Sequence, residues 1–170
     1  MARSIQHNAR HIGRLSPRQF WSLSWRSRCR LKRSPPPPDA YTRDVRAALG
    51  IAPDELSFLQ PPRVVQRKGI EHAIELVNRL GMKARLVILQ AAGDEGDDYE
   101  HRVRDFAALL GVQTNYVADI IKDQRGQTQD GRKIYALEDV YPYADIVTYP
   151  SDIEGFGNAF LEAIAASRGL

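Results

Sequence analysis

Ile70, Ala73, Ile74, Val77 and Leu80 recur at helical spacing, Gly81 ends the pattern, and ARLVILQ (84–90) follows as an unbroken apolar run of strand length. An amphipathic helix feeding a strand with no polar face predicts a strand buried on both sides, as in a parallel sheet covered by helices. The alternation extends in both directions. DAYTRDVRAALGI reads as a short helix ended by Gly50, and ELSFLQ as a first strand. After ARLVILQ comes the loop AAGDEGDD, then Val103, Phe106, Ala107 and Leu110 on a second amphipathic helix ended by Gly111. VQTNYVAD is a third strand, IIKDQRGQTQDGRK a polar excursion and ALEDVYPYA a short helix. DIVTYP is a fourth strand and NAFLEAIAAS the helix after it. This order predicts an α/β fold, a Rossmann-like parallel sheet with flanking helices and right-handed crossovers. In such sheets ligands sit outside the carboxyl ends of the strands.

The charges are segregated. Of 24 Lys and Arg, nine fall in residues 1–38, which carry no Asp or Glu; the remaining 15 face all 21 acids, a balance of −6. The basic balance of the whole chain therefore belongs to a leader, and the body carries no argument for nucleic acid. The leader is rich in Arg and Ser, like an organelle transit peptide; the plainer alternative is a misassigned start or foreign sequence joined to the domain. It reads as disordered, and Pro35–Pro38 read as an extended spacer, so the boundary is set between a leader, 1–38, and a domain, 39–170. Cys29 is the sole cysteine, which fits a reducing, cytoplasmic setting, and no apolar run approaches the roughly 18–20 residues of a bilayer span.

Two loops at the expected ligand end carry unusual chemistry. In PPRVVQRKG, Arg63, Arg67 and Lys68 precede a helix whose amino terminus offers N–H groups and partial positive charge, an arrangement suited to a diphosphate. The bland alternative is a solvated basic turn. In PSDIEGFGN, Gly155 and Gly157 permit close backbone approach, and the N–H groups of Phe156, Gly157 and Asn158 open the next helix. Glu154 precedes that helix and Glu162 lies within it; ionised carboxylates accept hydrogen bonds and suit hydroxyls. Cations for phosphate and carboxylates for sugars point together to a nucleotide sugar. For Glu162 by itself, a surface acid on the helix is the competing reading.

Glu154-Gly-Phe-Gly…Glu162-Ala, two glutamates separated by seven residues, resembles the retaining glycosyltransferases of the GT-B fold, and within them family four, the Glycos_transf_1 type. RVVQRKGIEHAIEL resembles that family's Arg…Lys-Gly segment, and DVYPYADIVTYPSDIEGFGNAFLEA its run of strand, Pro-Ser and motif, so the likeness covers roughly residues 41–167. The resemblance implies that Arg63 and Lys68 hold the donor diphosphate and stabilise the leaving group. It implies that Glu154 meets hydroxyls of the transferred sugar and that Glu162 binds ribose. Amides of Phe156, Gly157 and Asn158 then touch sugar or phosphate, with the third strand's exit and residues 133–135 near the base. The implied reaction is retaining transfer from a UDP-, GDP- or ADP-sugar to an unknown acceptor, without metal or other cofactor.

The family also implies an amino-terminal acceptor domain, which residues 1–38 do not resemble, and a further Gly-x-Pro-Val-Val strand beyond ASRGL. The expectation is accordingly a truncated carboxyl-terminal half of a GT-B fold with an exposed sheet edge, inactive by itself. The alternatives are a non-catalytic nucleotide-sugar-binding module, or an inactive gene remnant. A nicotinamide enzyme fares worst, since no Gly-x-Gly-x-x-Gly follows the first strand. GQTQDGRK (126–133) imitates a phosphate loop, but Arg132 replaces its lysine and no Ser or Thr follows, so a polar loop is expected. His7 and His11 lack the glutamate of a zinc-protease motif, and no metal is assigned; His72 and His101 read as exposed helix positions.

Overall fold

A computed structural model describes residues 37–91, 98–153 and 157–167. The leader, with His7, His11 and Cys29, lies outside the described residues, as do Glu154, Gly155 and Phe156. The main sheet contains β1 (Leu56–Gln60), β2 (Ala84–Ile88), β3 (Gln113–Tyr116) and β7 (Ile146–Val147), ordered β3-β2-β1-β7 and parallel throughout. The register is direct: Phe58 lies beside Leu86 and Ile146, Leu59 beside Val87 and Val147.

Alternation along β1 and β2 builds two cores. Phe58, Leu86 and Ile88 face α2 (Ile70–Leu80) and α3 (Asp98–Leu110), where Ile70, Ile74 and Val103 meet them. Leu59, Val87 and Leu89 face the other way, onto Val45 of α1 (Val45–Ala48), Val140 of α4 (Leu137–Val140) and the Tyr141–Tyr143 turn. Ala163 of α5 (Asn158–Ser167) packs on this second core. Apolar residues on both faces are why these strands read as continuous hydrophobic runs.

The excursion 120–133 is not a loop. It contributes to a second, three-stranded sheet in which β6 (Lys133–Ala136) pairs in parallel with β4 (Ile121–Lys122) and antiparallel with β5 (Gly126–Gln127). Ile121 and Tyr135 of this sheet join the second core, while its exposed residues are polar and its flanks are held by charge pairs. Arg125 reaches Asp139 through Nη2 at 2.6 Å and Asp39 through Nη1 at 2.7 Å, while Lys133 meets Asp44 at 2.8 Å. The phosphate-loop imitation is the β5–β6 turn, closed by Thr128 N–H donating to Arg132 O at 2.8 Å, with Gly131 at positive φ. His72 and His101 are exposed.

The entry to β1 is held by a charge pair. Glu55 accepts two hydrogen bonds from Arg85 and one from Ala52 N–H, each 2.9 Å, and is buried. The Arg85 hydrogen bonds, followed by that of Ala52, lower the Glu55 carboxyl to about 2, below its ordinary 4.5. Since the folded value lies below the unfolded one, this stabilisation is complete above about pH 4.5 and fades as pH falls toward 2. Glu55→Gln is expected to lower stability at neutral pH by about 1.5–3 kcal/mol and to flatten the decline between those limits. Denaturant unfolding at stepped pH checks this: an unchanged acid limb would show that Glu55 does not carry it.

Candidate functional site

Chain order runs β1, β2, β3 outward in one direction, after which β7 returns to the opposite side of β1. The reversal falls between β1 and β7. α2 and α5 pack on opposite faces, and the loops leaving these two strands lie at their carboxyl ends, the usual ligand position in such sheets. The loops are the two that carry the cations and the glutamates.

They are fastened to each other. Asp152 N–H donates to Arg67 O at 3.1 Å. Gly69, in the left-handed region at φ 57°, lies so close to the second loop that a Cβ there would come within 2.6 Å of Pro150 O. Arg67 and Lys68 form the 3-10 turn Gln66–Lys68 immediately before this contact. Lys68 is half-buried, and Arg63 is exposed at the mouth of the same loop. Glycine serves here by close approach and by its backbone angle together. The sequence offered one signal, the Lys-Gly pair, but not its partner.

Glu162 is not a surface acid. It is buried at 7% exposure, and Tyr141 Oη donates to its Oε2 at 3.2 Å. Burial raises the Tyr141 phenol above its ordinary value, and the charge and hydrogen bond of Glu162 raise it further, so Tyr141 remains a donor. Gly157 has φ 70° and its carbonyl accepts the first intrahelical bond of α5, from Leu161. Asn158 opens that helix, so its first N–H groups face the loop without intrahelical partners. Ser151 Oγ, in the same loop, is buried without a partner. Glu154 and Phe156 belong to this loop by sequence but lie outside the described residues.

One expectation is corrected. The amino terminus of α2 does not offer its leading N–H to a phosphate: Ile70 N–H donates to Tyr99 Oη at 3.0 Å, and Tyr99 in turn donates to Glu71. A residue of α3 caps α2 from nearly thirty positions away, a relation no local pattern reveals. Any anion met by this loop would therefore meet side-chain charge rather than that leading N–H. In the 133–135 stretch, Lys133 is held by Asp44 and Tyr135 is buried in the second core. Among the described residues, no group of three His, Cys, Asp or Glu side chains is placed to hold a metal ion, and no helix is long and apolar enough to cross a membrane.

Residues 42–168 match the family model described as glycosyl transferases group 1. The mannosylglucosylglycerate synthase of Petrotoga mobilis is 32% identical over 146 residues, covering 75% of this chain and 33% of that protein. The D-inositol 3-phosphate glycosyltransferase of Saccharomonospora viridis is 32% identical over 127 residues, 71% of this chain and 27% of its own length. Among solved structures, a glycosyltransferase from Rickettsia africae superposes with a TM-score of 0.57 at 17% identity, covering 74% of this chain and 30% of that one. WaaG, a glycosyltransferase involved in lipopolysaccharide biosynthesis, gives 0.55 at 18% identity, covering 89% and 41%. The chain spans about a third of the length of the curated relatives it matches. A parallel sheet reversing between β1 and β7, two joined loops at that point and a family match across nearly all of the described residues agree: the chain belongs to the glycosyl transferases group 1 family, with the parallel-sheet α/β fold of GT-B glycosyltransferases.

Proposed function

We propose that the β1–β7 crevice binds a nucleotide-sugar donor, as the donor half of a retaining glycosyltransferase. The observation carrying this reading is the fastening of the cation-bearing loop to the glutamate-bearing loop, through Asp152 N–H on Arg67 O and the Gly69–Pro150 approach. Residues distant in sequence thereby serve one ligand. Arg63 and Lys68 hold the diphosphate; Glu154 accepts from hydroxyls of the transferred sugar. Glu162, fixed by Tyr141, accepts from ribose. The amides around Phe156, Gly157 and Asn158 contribute donors to phosphate or sugar.

In the proposed reaction the bond between the anomeric carbon and the diphosphate oxygen breaks, and a bond to an acceptor hydroxyl forms on the same face. The acceptor proton passes to the departing phosphate. Arg63 and Lys68 stabilise the negative charge that grows on the leaving group, which is electrostatic catalysis by preplaced cations. No side chain acts as nucleophile, and the cations take the part a metal would otherwise play. The acceptor and the counterpart that binds it lie beyond the proposed donor site, so this chain is expected to bind donor with negligible turnover.

Calorimetric titration with UDP, GDP, ADP, their glucose or mannose conjugates and NAD tests the reading. One nucleotide series is expected to bind, and NAD is not. Lys68→Ala should weaken binding by about 10- to 100-fold, equivalent to ~1.5–3 kcal/mol for a lost charge-assisted contact. Glu162→Gln, which keeps an acceptor for Tyr141, should weaken nucleosides but not inorganic diphosphate. Preference for NAD, or indifference to Lys68→Ala, contradicts the proposal.

Gly69→Ala tests the junction itself. The left-handed backbone costs a non-glycine residue about 1–2 kcal/mol, and the added methyl must displace Pro150 as well. The expected result is a lower melting temperature together with weakened nucleotide binding; a variant as stable as the unsubstituted chain would mean that the loops do not meet.

A further inference from the structure

Gln60 is the last residue of β1, and Thr148 follows β7 at the position opposite it. Both are buried, Gln60 completely and Thr148 at 5% exposure. Thr148 Oγ1 donates to Gln60 Oε1 at 2.5 Å and lies 3.1 Å from Leu59 O, while Thr148 N–H donates to Leu59 O at 2.8 Å. Beyond this point the strands separate. The cation loop begins one residue after Gln60, and Pro150 and Ser151 follow two and three residues after Thr148.

The pair is costly for a core position. Gln60 Nε2 is buried without a partner. Whichever way the planar amide is turned, only one of its two polar ends reaches Thr148, so one remains unsatisfied. Nearby interior positions of the same strand are Phe58 and Leu59, and an apolar residue at 60 would incur no such penalty. Stability is therefore not what the polar pair contributes. What it does provide is direction: β1 and β7 share only two registered pairs, Phe58 with Ile146 and Leu59 with Val147. A side-chain bond across the next rung fixes how far apart the strands are when they diverge.

We propose that Gln60 and Thr148 form a clasp whose role is to position the two donor-binding loops relative to each other. Neither side chain touches the ligand; they act through the loops that follow them. The inference rests on the reading of the crevice as a nucleotide-sugar site. Displacement of either loop separates groups that must meet one ligand together, and geometric errors of about 1 Å at such sites cost on the order of 100-fold at the extreme.

The test is a double-variant cycle in the 170-residue chain, using Gln60→Met, Thr148→Val and their combination. Each is measured by thermal melting and by titration with UDP-glucose, GDP-mannose and ADP-glucose. Gln60→Met and the double variant replace polar atoms by apolar ones of similar size, so they are expected to melt at or above the temperature of the unsubstituted chain. Both should nevertheless bind the preferred donor about tenfold more weakly. Thr148→Val strands the Gln60 amide and should melt lower. Affinity losses of the two single variants should not add, because either one opens the clasp. Thr148→Ser, which keeps the hydroxyl, should restore affinity. If the unsubstituted chain binds none of the three donors, the donor-site reading fails and the clasp with it. If that chain binds and Gln60→Met binds equally well, or if the double variant loses affinity only in step with melting temperature, the clasp alone is overturned.

Discussion

Everything specific to the site depends on the close approach of two backbones at Gly69 and Pro150. Strands β1 and β7 are neighbours, but neighbouring strands do not by themselves bring their following loops into contact. Here α2 and α5 leave toward opposite faces, which would carry the loops apart. A left-handed residue without a side chain lets the first loop turn directly under Pro150 O, and the Asp152–Arg67 hydrogen bond holds it there. On the proposed reading, this is what would let the cations and the glutamate motif address one molecule.

The chain's charges divide into two populations. Glu55 with Arg85, Asp139 with Arg125 and Asp44 with Lys133 hold the frame, joining β1 to β2 and the small sheet to the segment before α1. Asp145 continues this pattern by accepting from Ser57 N–H at 2.7 Å and from Arg46 at 3.2 Å, which ties the start of β7 to the start of β1. These pairs sit at the amino ends of the strands or on the far side of the sheet from α2. The Arg63, Arg67 and Lys68 group instead lies at the carboxyl ends.

The main sheet was legible because its information is periodic. ARLVILQ could only be a strand buried on both faces, and the helix after the cation loop announced itself through Ile70, Ile74 and Val77. The family was legible through the likeness of the glutamate motif and the Arg…Lys-Gly segment to its pattern. Three features were not. The small sheet has strands of two to four residues, too short for a period to show, and its β5 is exposed. Tyr99 caps α2 from α3, and Tyr141 orients Glu162 from the previous connection; both relations exist only after folding. Glu162 itself shows the limit of local reading, because a glutamate early in a helix looks equally natural on a surface, and only its burial distinguishes the two.

The occupied end of α2 also constrains how anion binding is shared. Helix amino termini attract phosphate through unpaired N–H groups and partial charge. At α2 the leading N–H is taken by Tyr99, with the Glu71 carboxylate beside it adding negative charge where an anion would sit. At α5 the opening turn begins with Gly157 and Asn158, next to the glutamate motif. The two loops therefore differ in kind. One carries side-chain cations ahead of a helix whose leading N–H is already taken; the other opens a helix whose first backbone N–H groups have no intrahelical partner. A diphosphate held between them would be bound by geometry on one side and by charge on the other. On the proposed reading, that division makes the spacing between the loops, rather than the strength of either one, the quantity on which donor binding would turn.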